Sequence, residues 1–393
     1  MIAGIPYWHL ASFYFFYFAL VGALNPYLSL YLTDIGFTAQ AIGAVNGVLM
    51  GTKIVAPNLW GWLCDKTGKR LRIISLGSFV AMMCFGALFY WQSLISILII
   101  TFLYSFFWNA VLSQFDTITI QYLREDSHRY SQVRVWGSIG FIASVTLLGW
   151  LFDYYSIHYL IPISWGLLVL IWLSTLSLKE PLQVPHHQDH AHWFVLLKNP
   201  AVIAFFIAAF LLQFSFGAYY SFFSLHLESY GYSLSAIGLL WALGVLCEVA
   251  LFLYMHKILS RIGVTLILFV SLLLTALRWL IIAFFADSLS MIVFAQTIHA
   301  LSFGAAHAAC IELIRRFFKG PNAGQGQALY SAITFGAGGA LGAVCSGFLW
   351  DISAQLLFSF SAAVVLIAAL VAWYGLYRNE IDLELVDDEN DKA

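Results

Sequence analysis

The sequence predicts an all-α membrane protein: twelve transmembrane helices in two six-helix bundles related by pseudo-two-fold symmetry. Three observations predict it, namely composition, a one-sided distribution of basic residues and an internal repeat. Of 393 residues, 62% are hydrophobic and only 10% are charged. A soluble domain carries about 25% charged residues, so this chain has too few to cover a water-facing surface. A spanning helix takes about 20 apolar residues, and 393 residues with short connections accommodate about twelve. The 34 Phe, 20 Tyr and 14 Trp suit a lipid-facing surface bounded by aromatic belts.

Apolar runs between polar breaks place six helices near 8–33, 39–63, 72–92, 93–122, 131–153 and 157–177. Six more follow near 200–228, 233–257, 263–286, 288–318, 323–350 and 355–377. The expected organisation is therefore a bundle over 1–177, a central loop over 178–200, a second bundle over 201–377 and an acidic tail over 378–393. The loop LKEPLQVPHHQDHAHWFVLLKNP is the one long polar break, and the tail RNEIDLELVDDENDKA has the composition of a disordered segment. No cleavable signal peptide is expected, because the N-terminus leads straight into an apolar run without a basic stretch.

Charge predicts the orientation. Three of the 18 Lys and Arg, Lys53, Arg134 and Arg278, fall within predicted helices. All the others lie after the second, fourth, sixth, eighth and tenth helices or in the tail. The opposite loops hold Asp34, Asp153, Glu228, Asp287 and Asp351 but no Lys or Arg. By the positive-inside rule, both termini and the central loop are expected in the cytoplasm of a multi-pass inner-membrane protein.

The halves repeat. YLTDIGFTAQAIG (31–43) matches HLESYGYSLSAIG (226–238) at an offset of 195, and GWLFD (149–153) matches GFLWD (347–351) at 198. Six helices followed by six related helices of the same orientation form a parallel repeat.

Between the second and third helices runs GWLCDKTGKR, with Gly61, Asp65, Gly68, Lys69 and Arg70. Gly61 would allow close helix approach, and Gly68 permits the positive φ of a tight turn. Asp65 can accept from a helix N-terminus or a cation, while the basic residues hold one side. This loop resembles the signature of the major facilitator superfamily, so a gating role and the major facilitator fold are expected; Ser260-Arg261-Ile262-Gly263 is its degraded counterpart. A closer resemblance, to the phenylpropionate permease family, rests on YYSFFSLHLESYGYSLSAIGLLWALGVLCEV (219–249), Tyr130–Ser138, Leu277-Arg278-Trp279 and His299. That family is similar to lactose-permease-like proton symporters. The resemblance implies uptake of a small organic solute such as 3-phenylpropionate, with protons as the coupling ion and no other cofactor. Phe216 departs from it, since relatives commonly carry histidine there.

An ionisable side chain at a helix centre costs about 2.5–3.5 kcal/mol and is a functional candidate by default. Asp116 and Arg134, opposite in sign on adjacent helices, are expected to form an ion pair, either binding substrate or purely structural. Glu248 lies about nine residues from the nearest predicted helix end, roughly 13 Å at the helical rise. Its repeat equivalent is Lys53, so the two either meet across a central cavity or serve separate halves. Glu248, Arg278 and His299 make a candidate proton relay, because desolvation and a nearby cation act oppositely on a carboxyl. In lactose permease a further carboxylate sits three residues after the matching histidine; here that position is Ser302. Tyr219, Tyr220 and Trp241 are expected as aromatic cavity walls, and Asp116, Arg134 and Lys53 as substrate contacts.

Other features have plainer readings. Glu312 beside Arg315 and Arg316 is a structural pair, the His tract 186–192 a solvated linker, and Gly338 and Gly342 a helix-packing motif. The five scattered cysteines lack a CxxC pair and read as core residues, not disulfides or metal ligands. No HExxH motif, nucleophile–base arrangement or ATP-binding loop occurs, which argues against an enzyme or a primary pump. A monomer embedded in lipid, with no nucleic-acid partner, is expected. A sugar or nucleoside substrate, export, or a non-transporting sensor remain the alternatives.

Overall fold

The structure is a computed structural model and describes residues 6–123, 126, 129–180 and 193–377. Among them, twelve helices are long and apolar enough to cross a membrane. They are α1 (Tyr7–Asp34), α2 (Ala39–Thr67), α3 (Arg70–Phe89), α4 (Leu94–Leu123), α5 (Tyr130–Tyr154) and α6 (Ile157–Leu176). The second set is α7 (Pro200–Ser229), α8 (Leu234–Phe252), α9 (Val264–Phe284), α10 (Leu289–Phe317), α11 (Ala323–Trp350) and α12 (Ala354–Leu376). Every expected span is present. The eighth ends five residues early, at Phe252, and a separate helix, Met255–Ile262, carries the chain on to α9. The histidine tract and the acidic tail lie outside the described residues.

The repeated motif has a local physical cause. Gly36 and Gly231 take φ of +90° and +83°, a turn open to glycine at little steric cost. Two residues on, Thr38 and Ser233 cap the next helix by accepting from Ala41 N and Ala236 N. The repeat thus encodes the same turn and the same helix start twice. Within α2 the α-helix ends at Gly51 and a 3-10 turn spans Thr52–Ile54 before helix resumes at Ala56. Pro57, which has no N–H to offer the carbonyl of Lys53, explains the interruption.

Packing follows the pseudo-symmetry. The most buried helices are the equivalent pair α1 and α7. Helix α1 packs on α5 and α6, as α7 packs on α11 and α12. The run FYFFYF of α1 is core: Phe13, Tyr14 and Tyr17 are buried, with Phe13 stacked on Phe115 and Tyr17 on Trp108. The halves meet along two seams, α2 against α11 and α5 against α8. Both seams need small residues where the repeat placed them. A Cβ on Gly43 would lie 2.7 Å from Ala343 O, and one on Gly238 2.5 Å from Val145 O. Asp153 locks one seam by accepting from Leu234 N (2.8 Å) and Ser235 N (3.2 Å), at the N-terminus of α8. These contacts close the end of the molecule that carries the acidic loops. Gly338 and Gly342 pack within the second half, against the backbone of α7 at Phe210 and Phe214.

Candidate functional site

The membrane charges do not form the expected pairs, and only Arg134 and Glu248 lie on the helices of the α5–α8 seam. In the first half, Asp116 of α4 accepts from Tyr14 Oη of α1 (2.7 Å) and Tyr130 Oη of α5 (2.8 Å), both on the same oxygen, Oδ1. Tyr14 Oη also lies 3.0 Å from Thr119 Oγ1. Arg134 forms no ion pair with Asp116: among the described residues no acid lies within 4 Å of its guanidinium. Instead the guanidinium covers the ring of Phe18 at 4.0 Å and that of Tyr14 at 5.4 Å. Gly137 explains the choice. A Cβ there would fall 2.7 Å from Arg134 Nη1, so glycine leaves room for the side chain to lie across α5 towards α1. From that position Arg134 interacts electrostatically with Asp116 in its own half and with Glu248 and His307 in the other.

In the second half, Glu248 Oε2 of α8 sits 3.7 Å from His299 Nε2 of α10. The carboxylate arm lies over Gly304, whose added Cβ would be 3.0 Å from Glu248 Cγ. Arg278 of α9 is the unexpected member. It is fully buried, donates from Nε to Ala295 O (3.0 Å) and from Nη2 to Gln296 Oε1 (2.7 Å), and lies 4.2 Å over the ring of Tyr219. Gln296 in turn donates to Tyr219 Oη (3.1 Å) and Leu240 O (2.8 Å), so one amide ties α7, α8, α9 and α10 together. A buried cation without a carboxylate is costly unless dipoles and ring faces surround it; here they meet Nε, Nη2 and the guanidinium face, while Nη1 is buried without a hydrogen-bond partner among the described residues. The expected three-membered relay therefore reduces to a contact between Glu248 and His299, with Arg278 held apart.

Lys53 does not meet Glu248. Its Nζ lies 3.3 Å from Met50 Sδ, in the 3-10 turn of α2. The reason is topological: α2 pairs with α11 and α8 with α5, so equivalent positions on α2 and α8 fall on different seams. Of the three aromatic wall candidates, Tyr219 and Trp241 are interior residues at 1% and 4% exposure, with Trp241 Nε1 donating to Ser224 Oγ at 3.0 Å. Only Tyr220 keeps accessible surface. Phe216, the departure from the family, is fully buried between Trp279, Tyr220 and Phe303.

At the basic end, Asp65 pairs with Arg70, which also donates to Gln114 of α4. Gly68 caps α2 at φ +66°. Gly61 does not bring two backbones together; its missing side chain leaves room for the Gln114 amide, 3.3 Å from where a Cβ would be. Lys69 sits at the N-terminus of α3. Glu180 accepts from Leu71 N at 3.0 Å and so caps α3, a role its position in a loop concealed. Glu312 holds Arg315 at 2.7 Å and Arg316 at 3.0 Å, as expected of a structural pair.

Sequence reasoning missed Tyr14 and Gln296. Uncharged side chains raise no alarm in an apolar helix, yet these two determine what Asp116 and Arg278 can reach. Gln296 carried one legible signal, its spacing three residues before His299 on the same helix.

Residues 7–360 match the profile of the MFS_1 like family. The chain is 28% identical over 368 residues to the probable 3-phenylpropionic acid transporter of Escherichia coli (strain K12), covering 91% of this chain and 94% of that protein. It is equally 28% identical over 369 residues to the maltose permease of Geobacillus stearothermophilus, covering 91% and 92%. Among solved structures, the nucleoside transporter NupG superposes with a TM-score of 0.82 at 19% identity, covering 94% of this chain and 98% of that one. A bacterial homologue of the lysosomal transporter Spinster, in an inward-facing state, gives 0.70 at 15% identity, covering 94% and 97%. With twelve spanning helices in two bundles and a family match over most of its length, this chain belongs to the MFS_1-like family and is a multi-pass membrane transporter of the major facilitator type.

Proposed function

We propose that the protein imports a small aromatic carboxylate together with protons, as a monomer without other cofactors and without catalytic chemistry of its own. The observation that carries this reading is Arg134. It is a half-buried guanidinium at the seam between the halves, against two aromatic rings, with no carboxylate within 4 Å among the described residues. Arg278, the other cation suited to bind a carboxylate, is sealed in the second half and held by Gln296. A substrate carboxylate would take a two-bond fork from Arg134, and its ring would lie beside Phe18.

Coupling follows from charge. Glu248 and an anionic substrate both respond to Arg134, one from each half. While Glu248 is ionised, it repels the substrate and competes for the cation. Once it is protonated, that competition ends, and the halves can close around the substrate held by Arg134. Losing the proton on the far side restores the competition and expels the substrate. With the basic loops in the cytoplasm and both termini beside them, the closed acidic end faces outward.

Uptake of labelled 3-phenylpropionate into energised membrane vesicles tests this reading. Accumulation should collapse on adding a protonophore, and Arg134→Gln should abolish it. Accumulation that survives the protonophore would overturn proton coupling. A sugar is the second reading, since the maltose permease is as similar as the phenylpropionic acid transporter. Competition by maltose but not by phenylpropionate would select it.

A further inference from the structure

We infer that His307, together with Tyr330, receives the proton from Glu248 and passes it to the basic end of the molecule; this rests on the proton-symport reading above. Nothing in that mechanism yet uses His307, although it is a half-buried imidazole on the face of α10 that also bears His299.

Along α10, the stretch that Glu248 covers at Gly304 lies between two imidazoles. Glu248 Cγ lies 3.0 Å, and its Cδ 3.8 Å, from the point where a Cβ of Gly304 would stand. On the same helix, His299 is about one turn away towards the acidic end, and His307 about one turn away towards the basic end. The rings form one stack: His299 to Phe303 at 5.4 Å and 4°, then Phe303 to His307 at 6.1 Å and 7°. In an uninterrupted α-helix, residues four apart drift by about 40° around the axis. The wider π-helical stretch Ala300–Ala305 absorbs that drift and brings both imidazoles onto one line.

The two histidines are not equivalent. His299 is closed in, stacked between Tyr219 and Phe303, with Nδ1 buried and without a partner among the described residues. His307 has somewhere to send a proton: its Nδ1 is 3.3 Å from Tyr330 Oη on α11, and that hydroxyl also contacts the thiol of Cys310. The titratable and charged groups around His307 are Tyr330 from α11, Cys310 through Tyr330, and Arg134 at electrostatic range from α5, with Glu248 of α8 over Gly304, about one helical turn away. Only a proton moves: the carboxyl of Glu248 loses it, the imidazole gains it, and water at the basic end takes it.

Proteoliposomes carrying wild type, Glu248→Gln, His307→Gln or Tyr330→Phe provide the test. They are given an imposed pH gradient with labelled 3-phenylpropionate and, in parallel, maltose, and the solute accumulated by the wild type is the readout. His307→Gln should lower gradient-driven accumulation about tenfold while leaving energy-independent exchange within about twofold of wild type, and Tyr330→Phe should move the pH of half-maximal accumulation by about half a unit. A purely structural histidine would reduce exchange and accumulation together, and that result overturns the inference, as does wild-type accumulation in His307→Gln. A wild type that ignores the gradient overturns proton symport itself and this inference with it.

Discussion

The two halves of this transporter hold a membrane carboxylate in opposite ways. In the first half, Asp116 accepts from two phenols, Tyr14 and Tyr130, and its neighbouring cation lies against aromatic rings with no acid within 4 Å among the described residues. In the second half the cation is immobilised: Arg278 is bound by Gln296 and Ala295 O, and the carboxylate of Glu248 has an imidazole 3.7 Å away as its nearest ionisable group among the described residues. One half thus leaves an arginine available and the other leaves a carboxyl available. A free guanidinium suits an anionic substrate, and a poorly solvated carboxyl suits a proton. Substrate recognition and proton coupling divide along the seam, so each depends on how the halves meet.

Substitutions at four positions would break or sharpen that contrast. Arg134→Gln should lower uptake by about a hundredfold or more, and Arg134→Lys should not restore it, since a point charge cannot form the planar fork. Initial-rate uptake measures both, and full rescue by lysine would remove the clamp from the mechanism. Glu248→Gln should next reduce accumulation to equilibration while preserving exchange, and exchange should become insensitive to pH; a retained gradient response would place the proton elsewhere. Gln296→Leu should then destabilise the second half by about 3 kcal/mol, because it strands the buried charge of Arg278. Thermal unfolding in detergent reads this effect, and an unchanged melting temperature would show that the ring of Tyr219 suffices. Tyr130→Phe should have the smallest effect, about 1 kcal/mol for one hydrogen bond to a carboxylate that keeps Tyr14.

Much of the scaffold was legible because its causes are local or compositional. Spanning length, the one-sided Lys and Arg, and the Gly36/Gly231 turns with their Thr38 and Ser233 caps can be read from neighbouring residues alone. The candidate ionisable residues were legible too, since a charge in an apolar run needs a reason wherever it points. Their partners were not. Asp116 and Arg134 looked like a pair, but the guanidinium lies towards α1 over the room Gly137 leaves, and of the two readings of Lys53 and Glu248 the seams leave the one in which each serves its own half. Tyr219 and Trp241 looked like cavity walls, but the packing of α7 against its neighbours makes them interior. The π-helical stretches of α10 and α11 leave no sequence mark, although one of them aligns His299 with His307.

By itself, then, the sequence determined the number of helices, their repeat and which side chains carry charge into the membrane. These follow from transfer free energies and backbone preferences, which act residue by residue. Only the tertiary structure decided which charges are satisfied and which are left free. That depends on whether a hydroxyl, an amide or a missing Cβ stands within about 3 Å, a distance set by how whole helices pack.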